Sequence, residues 1–435
     1  MTASTSKKLY FIGIGGIGMS ALAQYFKDQG AEVSGSDREA SPVTELLERK
    51  GIPVVICQRA ENVPQDASIV YSDSVPQDNP ERTEAARRGM AQKSYFQMLG
   101  EVSKGKRAVA VAGTHGKTTT TGMLAKILKD AGASPTAIVG SIVKDLGSNY
   151  LPGNSDIFIV EADEWRGHLL ELSPQILVIN NLEWDHTDYF PSLTALQETF
   201  RKAIERVPAE GAIITDPHNP NIASILKGAK AKIIDYMQMG RSDLPTGAYN
   251  LKLPGEFNQN NARAAAAAAR AVLPSVQHQV LNNSLRDFHG TWRRFEYKGK
   301  TAGGADVYDD YAHHPTAVRE TLAALRAKTS SAIIVAFHPH LYSRTKDLLN
   351  EFATVFADAD TVYVAPIYAA REVDDGSVSS ELLAERIRAT GTDAFALDFD
   401  AIEKALGEVE AGDTIITMGA GDIYKIADVI TVQKK

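Results

Sequence analysis

The chain has 435 residues, 44% hydrophobic and 23% charged, with 46 basic against 54 acidic side chains and a net charge of −8. That length suggests two to four domains, and the acidic balance argues against a nucleic-acid or anionic-membrane partner. One cysteine, Cys57, excludes an internal disulfide, and no apolar run approaches the about 18 residues of a membrane span, so a cytoplasmic protein is expected.

LYFIGIGGIGMSALAQYF, from Leu9, is a strand running into GxGxxG (Gly13, Gly15, Gly18) and a helix, and Asp37 ends the next strand. Glycines there let backbone approach a diphosphate, and the acid can accept from a ribose; alone, the motif would suggest NAD, but other diphosphates fit the same turn. Helix SPVTELLERKG, strands PVVIC and ASIVYSD and helix ERTEAARRGM predict a small doubly wound parallel sheet, with Cys57 a small core residue. SKGKR, from Ser103 to Arg107, reads as a linker.

AVAVAGTHGKTTTT, from Ala108 to Thr121, reads as strand, phosphate loop and helix, with the turn bounded by Gly113 and Gly116. Loop N–H groups and the positive helix end make an anion cradle; Lys117 reaches the outer phosphates of a nucleotide and Thr118 holds Mg2+. Val111 stands where the strict pattern has glycine. Two later strands end in polar clusters, one with Glu161, Asp163 and Glu164, the other with Asn180, Asn181, Glu183, Asp185, His186 and Asp188. Both belong on the same carboxyl rim as the loop, where Glu161 and His186 would complete Mg2+ coordination. Helix SLTALQETFRKAIERV carries a packing face of Leu193, Leu196, Phe200 and Ile204. Asn258 and Asn261 open an alanine-rich helix and either touch a nucleotide or cap that helix.

FHGTWRRFEYKG looks like a domain junction, with one of Arg293 and Arg294 meeting phosphate and the other structural. Strands at ADVYDDYAHHP, SAIIVAFHPH, DTVYVAPIY, DAFALDF and DTIITMGAGD, each followed by a helix, predict another parallel α/β domain. Their ends carry Asp309, Asp310, His313, His314, His338, His340, Arg344, Arg371 and Asp422, and Gly419 to Gly421 turns onto a last helix as a further anion site.

Taken in order, GIGGIGMSALA with SGSD, AGTHGKTTTT, VEADE, NLEWDHTDYF, FNQNNARAAAA, RRFE, DDYAHHP, HPHLYSRT and TMGAGDIY resemble the bacterial Mur ligases over nearly the whole chain. These are ATP-dependent enzymes that add amino acids to the peptidoglycan precursor. The resemblance implies an α/β fold of three domains: a Rossmann-like UDP-sugar domain over 1–104, a central ATP-binding P-loop domain over 105–289, and a Rossmann-like C-terminal domain over 290–435 for the amino acid and nucleotide. It replaces NAD with a UDP-sugar at Gly15, Gly16, Gly18, Ser36, Asp37 and Ser72. It implies ATP at Gly113, Thr114, His115, Gly116, Lys117, Thr118 and Thr119, served also by Asn258, Asn261, Arg294 and Asp310. Mg2+ falls to Thr118, Glu161 and His186, while Lys117, Glu161, His186, His340 and Arg344 form the implied catalytic set, the last two facing the substrates. The implied substrates are UDP-N-acetylmuramate and L-alanine, and the implied state is a monomer or homodimer.

Several positions depart from commoner forms of the family. Phe257 stands where many relatives have His, and Leu341 where some alanine-adding relatives have Arg. Phe200 occupies the place of a carbamylated lysine used in later steps, as in the alanine-adding branch, whereas Trp165 and Glu183-Trp184 resemble the branch that reattaches a recycled tripeptide. The expected chemistry is phosphorylation of a carboxylate followed by amine attack on the acyl phosphate, with His340 or His314 accepting the amine's proton. The rivals are the tripeptide ligase, an NAD oxidoreductase that would leave the Gly-Lys-Thr loop unexplained, and a non-catalytic nucleotide-binding module.

Overall fold

The computed structural model describes residues 7–240 and 247–432. Three sheets order the chain. The first is wholly parallel, in the order Val54–Ile56, Glu32–Asp37, Lys8–Ile12, Ser68–Tyr71, Gln92–Ser94. Buried Phe11, Ile12, Ile69 and Val70 make its two central strands apolar on both faces, as helices on both sides require. Cys57 departs from expectation: it is exposed at φ 86°, just past an edge strand whose Val55 and Ile56 are also exposed. PVVIC is an edge strand, so its apolar run is not a core run.

The second sheet runs Lys232–Asp235, Ala212–Thr215, Ile176–Ile179, Arg107–Ala112, Ile157–Glu161, Thr136–Val143, Ser148–Leu151. The strand before the phosphate loop is central, with Val111 in register with Glu161 and Ala112 with Ile179. The ends of its two neighbours therefore flank the loop, as expected for Glu161 and for Asn180 and Asn181. The last two strands form an antiparallel hairpin. Its Asn149 accepts from Gln24 Nε2 at 3.0 Å and donates to Ser20 Oγ at 2.8 Å, tying it to helix Ile17–Asp28 beside the first sheet. Phe200 is fully buried in the helix Leu193–Arg206, a core residue.

The third sheet runs Glu296–Lys300, Asp306–Asp310, Thr414–Met418, Ile333–Phe337, Thr361–Val364, Asp393–Ala396. It is parallel except for its antiparallel first pair. Phe337, Phe352, Phe356, Val318 and Leu322 build the core on one face, and Trp184 and Phe257 pack against it. Both unusual aromatic residues thus contribute apolar packing.

The described chain divides into two compact units. Unit 1 holds the first two sheets, spanning residues to Leu182, Gln197–Asn250 and Asn261–Phe288; unit 2 holds the third, with Glu183–Leu196, Leu251–Asn260 and the chain from His289. Among the described residues, no helix is long and apolar enough to cross a membrane.

Candidate active site

In unit 1 the first Gly-rich turn is held from beneath. Gly13 and Ile14 donate backbone N–H groups to Ser36 O, each at 2.9 Å, and Gly15 N donates to Asp37 Oδ2 at 2.7 Å. Asp37 therefore braces the turn in this structure. A Cβ at Gly18 would stand 2.5 Å from the Tyr95 ring, so glycine there serves packing, whereas the nearest atom to one at Gly16 is 3.4 Å away. Ser36 is fully buried, and its hydroxyl donates to Glu81, a buried carboxylate that also accepts from Tyr10 and Asn62. Ser72 directly follows the strand Ser68–Tyr71, beside Gly13, and shares a 2.8 Å hydroxyl contact with Ser74.

The phosphate loop is over-determined. Gly113 and Gly116 sit at φ 123° and 79°, where other residues are strained, and Gly116 is the cap of helix Lys117–Asp130. His115 N donates to Asn181 Oδ1 at 2.8 Å, Asn181 Nδ2 donates back to His115 O at 3.2 Å, and Asn180 Nδ2 reaches Thr120 Oγ1 at 3.0 Å. Thr114 N completes the set on Asn181 O. The helix's first turn carries no acidic residue to oppose an anion, and Thr119 is buried in it.

Lys117 Nζ donates to Gly113 O at 2.7 Å and to both oxygens of Glu164, at 3.0 and 2.9 Å. Burial alone would lower its pKa, but Glu164, Asp163 and Glu161 outweigh it and the net shift is upward, so the ammonium stays charged. Thr118 Oγ1 donates to Glu161 Oε1 at 3.1 Å, and Glu161 Oε2 accepts from Gly140 N at 2.9 Å. A hydroxyl and a carboxylate this close are hard oxygen donors that fit Mg2+. Asn261 lies behind the loop, accepting from Thr120 Oγ1 at 3.3 Å. Trp165 stands edge-on to His168, which stacks on Phe96 at 3.7 Å between ring centroids.

Unit 2 carries the remaining expected residues. His186 sits at φ 52° in a turn closed by Tyr189 N and Phe190 N on its carbonyl. Its neighbour Asp185 is buried and accepts from Arg344 Nε at 2.8 Å. Burial would raise the Asp185 pKa, but Arg344 and nearby histidines hold it well below the usual carboxylate range. Arg344, 1% exposed, also donates through Nη1 to His340 Nδ1 at 2.9 Å. A guanidinium only donates, so neutral His340 carries its proton on Nε2 and presents a donor. Burial, then Arg344 and Arg371, lower its pKa to about 3. His314 is engaged at both nitrogens: Nε2 donates to Trp184 O at 3.2 Å, and Nδ1 accepts from Thr316 N at 3.4 Å at a helix start. His340 and His314 are therefore poorly arranged to accept a proton.

His313 has the opposite tautomer. Its Nδ1 lies 2.9 Å from Tyr311 O, which only accepts, so Nε2 carries the lone pair. Burial and Arg344 keep the ring neutral, with its pKa well below normal, and its centroid lies 5.9 Å from that of His340. Sequence reading placed His313 at a strand end without a role, because tautomers depend on neighbours that spacing does not reveal.

Arg293 proves to be the structural arginine: buried, it donates to Asp309 Oδ2 at 2.9 Å and to the carbonyls of Gly421 and Gly419 at 3.0 and 2.7 Å. It holds the Gly419 to Gly421 turn by its carbonyls, and helix Tyr424–Ile430 beyond is seven residues long. Arg294 lies over the Tyr311 ring at 4.9 Å. Asp310 accepts from Phe295 N and Ala312 N, each at 2.7 Å, and burial pushes its pKa up to about 6. Asn258 lies inside the helix Glu256–Val272 and donates to Pro254 O at 2.7 Å. Leu341 is buried at φ 71° as the cap of helix Tyr342–Asp347.

Family models match in three consecutive blocks: "Mur ligase family, catalytic domain" over residues 8–107, "Mur ligase middle domain" over 111–269, and "Mur ligase, glutamate ligase domain" over 293–421. The chain is 38% identical to the UDP-N-acetylmuramate--L-alanine ligase of Acetivibrio thermocellus, over 99% of this chain and 96% of that one. It is 36% identical to the enzyme of that name from Clostridium acetobutylicum, over 97% of each. Among solved structures, the UDP-N-acetylmuramate-alanine ligase of Thermotoga maritima superposes with a TM-score of 0.78 at 27% identity, covering 97% of this chain and 98% of its own. A murein peptide ligase from Psychrobacter arcticus gives 0.73 at 25% identity, covering 98% of both.

Proposed function

The chain belongs to the Mur ligase family, and we propose that it joins L-alanine to the carboxylate of UDP-N-acetylmuramate at the expense of ATP, in cytoplasmic synthesis of the peptidoglycan precursor. The observation that carries a phosphoryl-transfer reading is the braced loop with Lys117 inside it and Thr118 on Glu161 at 3.1 Å. The choice of L-alanine follows the names of the full-length relatives. We assign UDP-sugar binding to residues 1–104, ATP to 105–289 and the amino acid to 290–435.

A carboxylate does not react unaided with an amine, because its leaving group would be oxide-like. Its oxygen first attacks the γ-phosphorus of ATP and ADP departs. Lys117 and the loop N–H groups stabilise charge on the transferred group, with Lys117 exchanging Glu164 for phosphate. Bound Mg2+, held by Thr118 and Glu161, would supply further charge neutralisation. Removing one such contact typically costs about 3–4 kcal/mol in the transition state.

The amine then attacks the acyl carbon and inorganic phosphate leaves. His313 Nε2 accepts a hydrogen bond from the amine and orients it. A ring with so low a pKa does not deprotonate a free ammonium, but once the C–N bond forms the nitrogen's protons are strongly acidic and a weak base suffices. His340 donates from Nε2 to a developing or bound oxygen. The test is ADP release with ATP, Mg2+ and UDP-N-acetylmuramate, comparing L-alanine, glycine, L-serine and L-alanyl-γ-D-glutamyl-diaminopimelate as donors. Fastest turnover with L-alanine is expected. Turnover with the tripeptide alone would move the chain to the peptide-reattaching activity, and silence with every donor would leave a non-catalytic nucleotide-binding module.

A further inference from the structure

An amino acid whose amine meets His313 Nε2 carries its α-carboxylate only two bonds away, and that charge needs a cation near the same ring cluster. Resting on the ligase reading above, we propose that Arg371 binds this carboxylate and that Asp188 is the counter-ion it leaves to do so.

Arg344 and Arg293 already hold partners inside unit 2. Arg344 is buried and donates through Nε to Asp185 and through Nη1 to His340. Arg293 is buried and holds Asp309 and the Gly419 to Gly421 turn. Position 341, beside His340, is a buried leucine. Arg371 keeps 39% of its side chain exposed.

Its backbone is fixed on both sides against the His340 segment. Tyr368 N donates to Pro339 O at 2.8 Å, Leu341 N donates to Tyr368 O at 2.9 Å, and the Tyr368 ring stacks on His340 with centroids 5.5 Å apart. After Arg371, Glu372 accepts from Ser343 N at 3.1 Å. The turn between these anchors places Ala370 at φ 51°. The guanidinium is thus held near His340, close enough for its charge to lower that ring's pKa.

The Asp188 contact has the geometry of an exchangeable one. Arg371 Nε donates to Asp188 Oδ2 at 2.9 Å, and Nη2 donates to the same oxygen. Two donors sharing one oxygen forgo the two-oxygen fork that makes arginine–carboxylate pairs strong and specific. A partly exposed pair of this kind holds the side chain in place and yields to a carboxylate that also engages its amine nearby.

The experiment is steady-state kinetics with L-alanine and with L-alaninamide, which keeps the amine and loses the charge. Arg371→Ala should raise the KM for L-alanine roughly 10-fold to 100-fold, with kcat and the KM values for ATP and UDP-N-acetylmuramate little changed. L-Alaninamide should be used equally by wild type and variant, and Arg371→Lys should recover part of the lost L-alanine affinity. An unchanged L-alanine KM in Arg371→Ala, or an equal loss with L-alaninamide, would overturn the assignment of Arg371 while the ligase reading stands. A wild-type protein inert toward L-alanine would instead overturn the reading on which the assignment rests.

Discussion

Arg344 and Asp185 offer the sharpest test of the unit 2 site. Arg344→Met keeps much of the side-chain volume and removes the charge opposite Asp185. The two groups meet at 2.8 Å with side-chain exposures of 2% and 4%. At an effective dielectric of about 20, unit charges with centres roughly 4 Å apart attract by about 4 kcal/mol. Breaking a buried pair by removing one partner costs about 3–5 kcal/mol, because the other charge stays buried. Urea unfolding followed by fluorescence in a Trp165→Phe background would isolate unit 2, since the other tryptophans, Trp184 and Trp292, both belong to it. With a urea dependence of about 2 kcal/mol/M, the midpoint should fall by about 2 M. Asp185→Asn combined with Arg344→Met should cost clearly less than the two single losses added, a coupling of about 2 kcal/mol or more. Additive losses, or a midpoint within about 0.3 M of the parent, would refute the claim that this pair organises the cluster.

Other consequences are as direct. Lys117→Ala should abolish ligation while calorimetric binding of UDP-N-acetylmuramate is retained; normal turnover would remove Lys117 from the phosphate site. Gly116→Ala should lower ATP affinity at least about 10-fold, because Gly116 lies at φ 79° and a Cβ there would stand 2.1 Å from Asn261 Oδ1. Unaltered ATP binding would show the loop to be less rigid than its hydrogen bonds imply. Because its folded pKa is depressed to about 3, His340 should stay neutral from about pH 5 to 8. The pH profile of kcat/KM should therefore contain no inflection near 6.5 that His340→Asn removes, and finding one would contradict the Arg344–His340 contact.

The phosphate loop was legible because its signal is local: an apolar strand, glycines at the turn and a helix-forming run follow one another without a gap. Glu161 was legible for a related reason, since a parallel sheet places strand ends on one rim. Glu164 stood in the same acidic cluster, but only the fold shows that it closes on Lys117. The Asp185–Arg344 pair, whose partners stand 159 positions apart, had no such local signal. Ser36 and Asn258 are polar residues whose motifs suggested ligands, and each also has a partner within the fold that spacing does not reveal, Glu81 and Pro254 O. Arg293 and Arg294 are adjacent in sequence and unlike in surroundings: the first is swallowed by the third sheet, the second lies over an aromatic face. Cys57 failed as a core residue because an apolar pentapeptide does not reveal whether its strand is central or at an edge.

The contact between Lys117 and Glu164 also sets what an anion at the proposed phosphate site must displace. A lysine at the mouth of an anion cradle would otherwise attract whichever small anion is most abundant in the cell. Here any newcomer competes with a carboxylate that is already in place, 1% exposed and bonded through both oxygens. Chloride or sulfate gains one contact and forfeits that pair, whereas a nucleotide polyphosphate spreads its charge over the loop amides and the lysine together. On the proposed reading, the threshold for occupying the loop is set by a pair already formed in the resting protein.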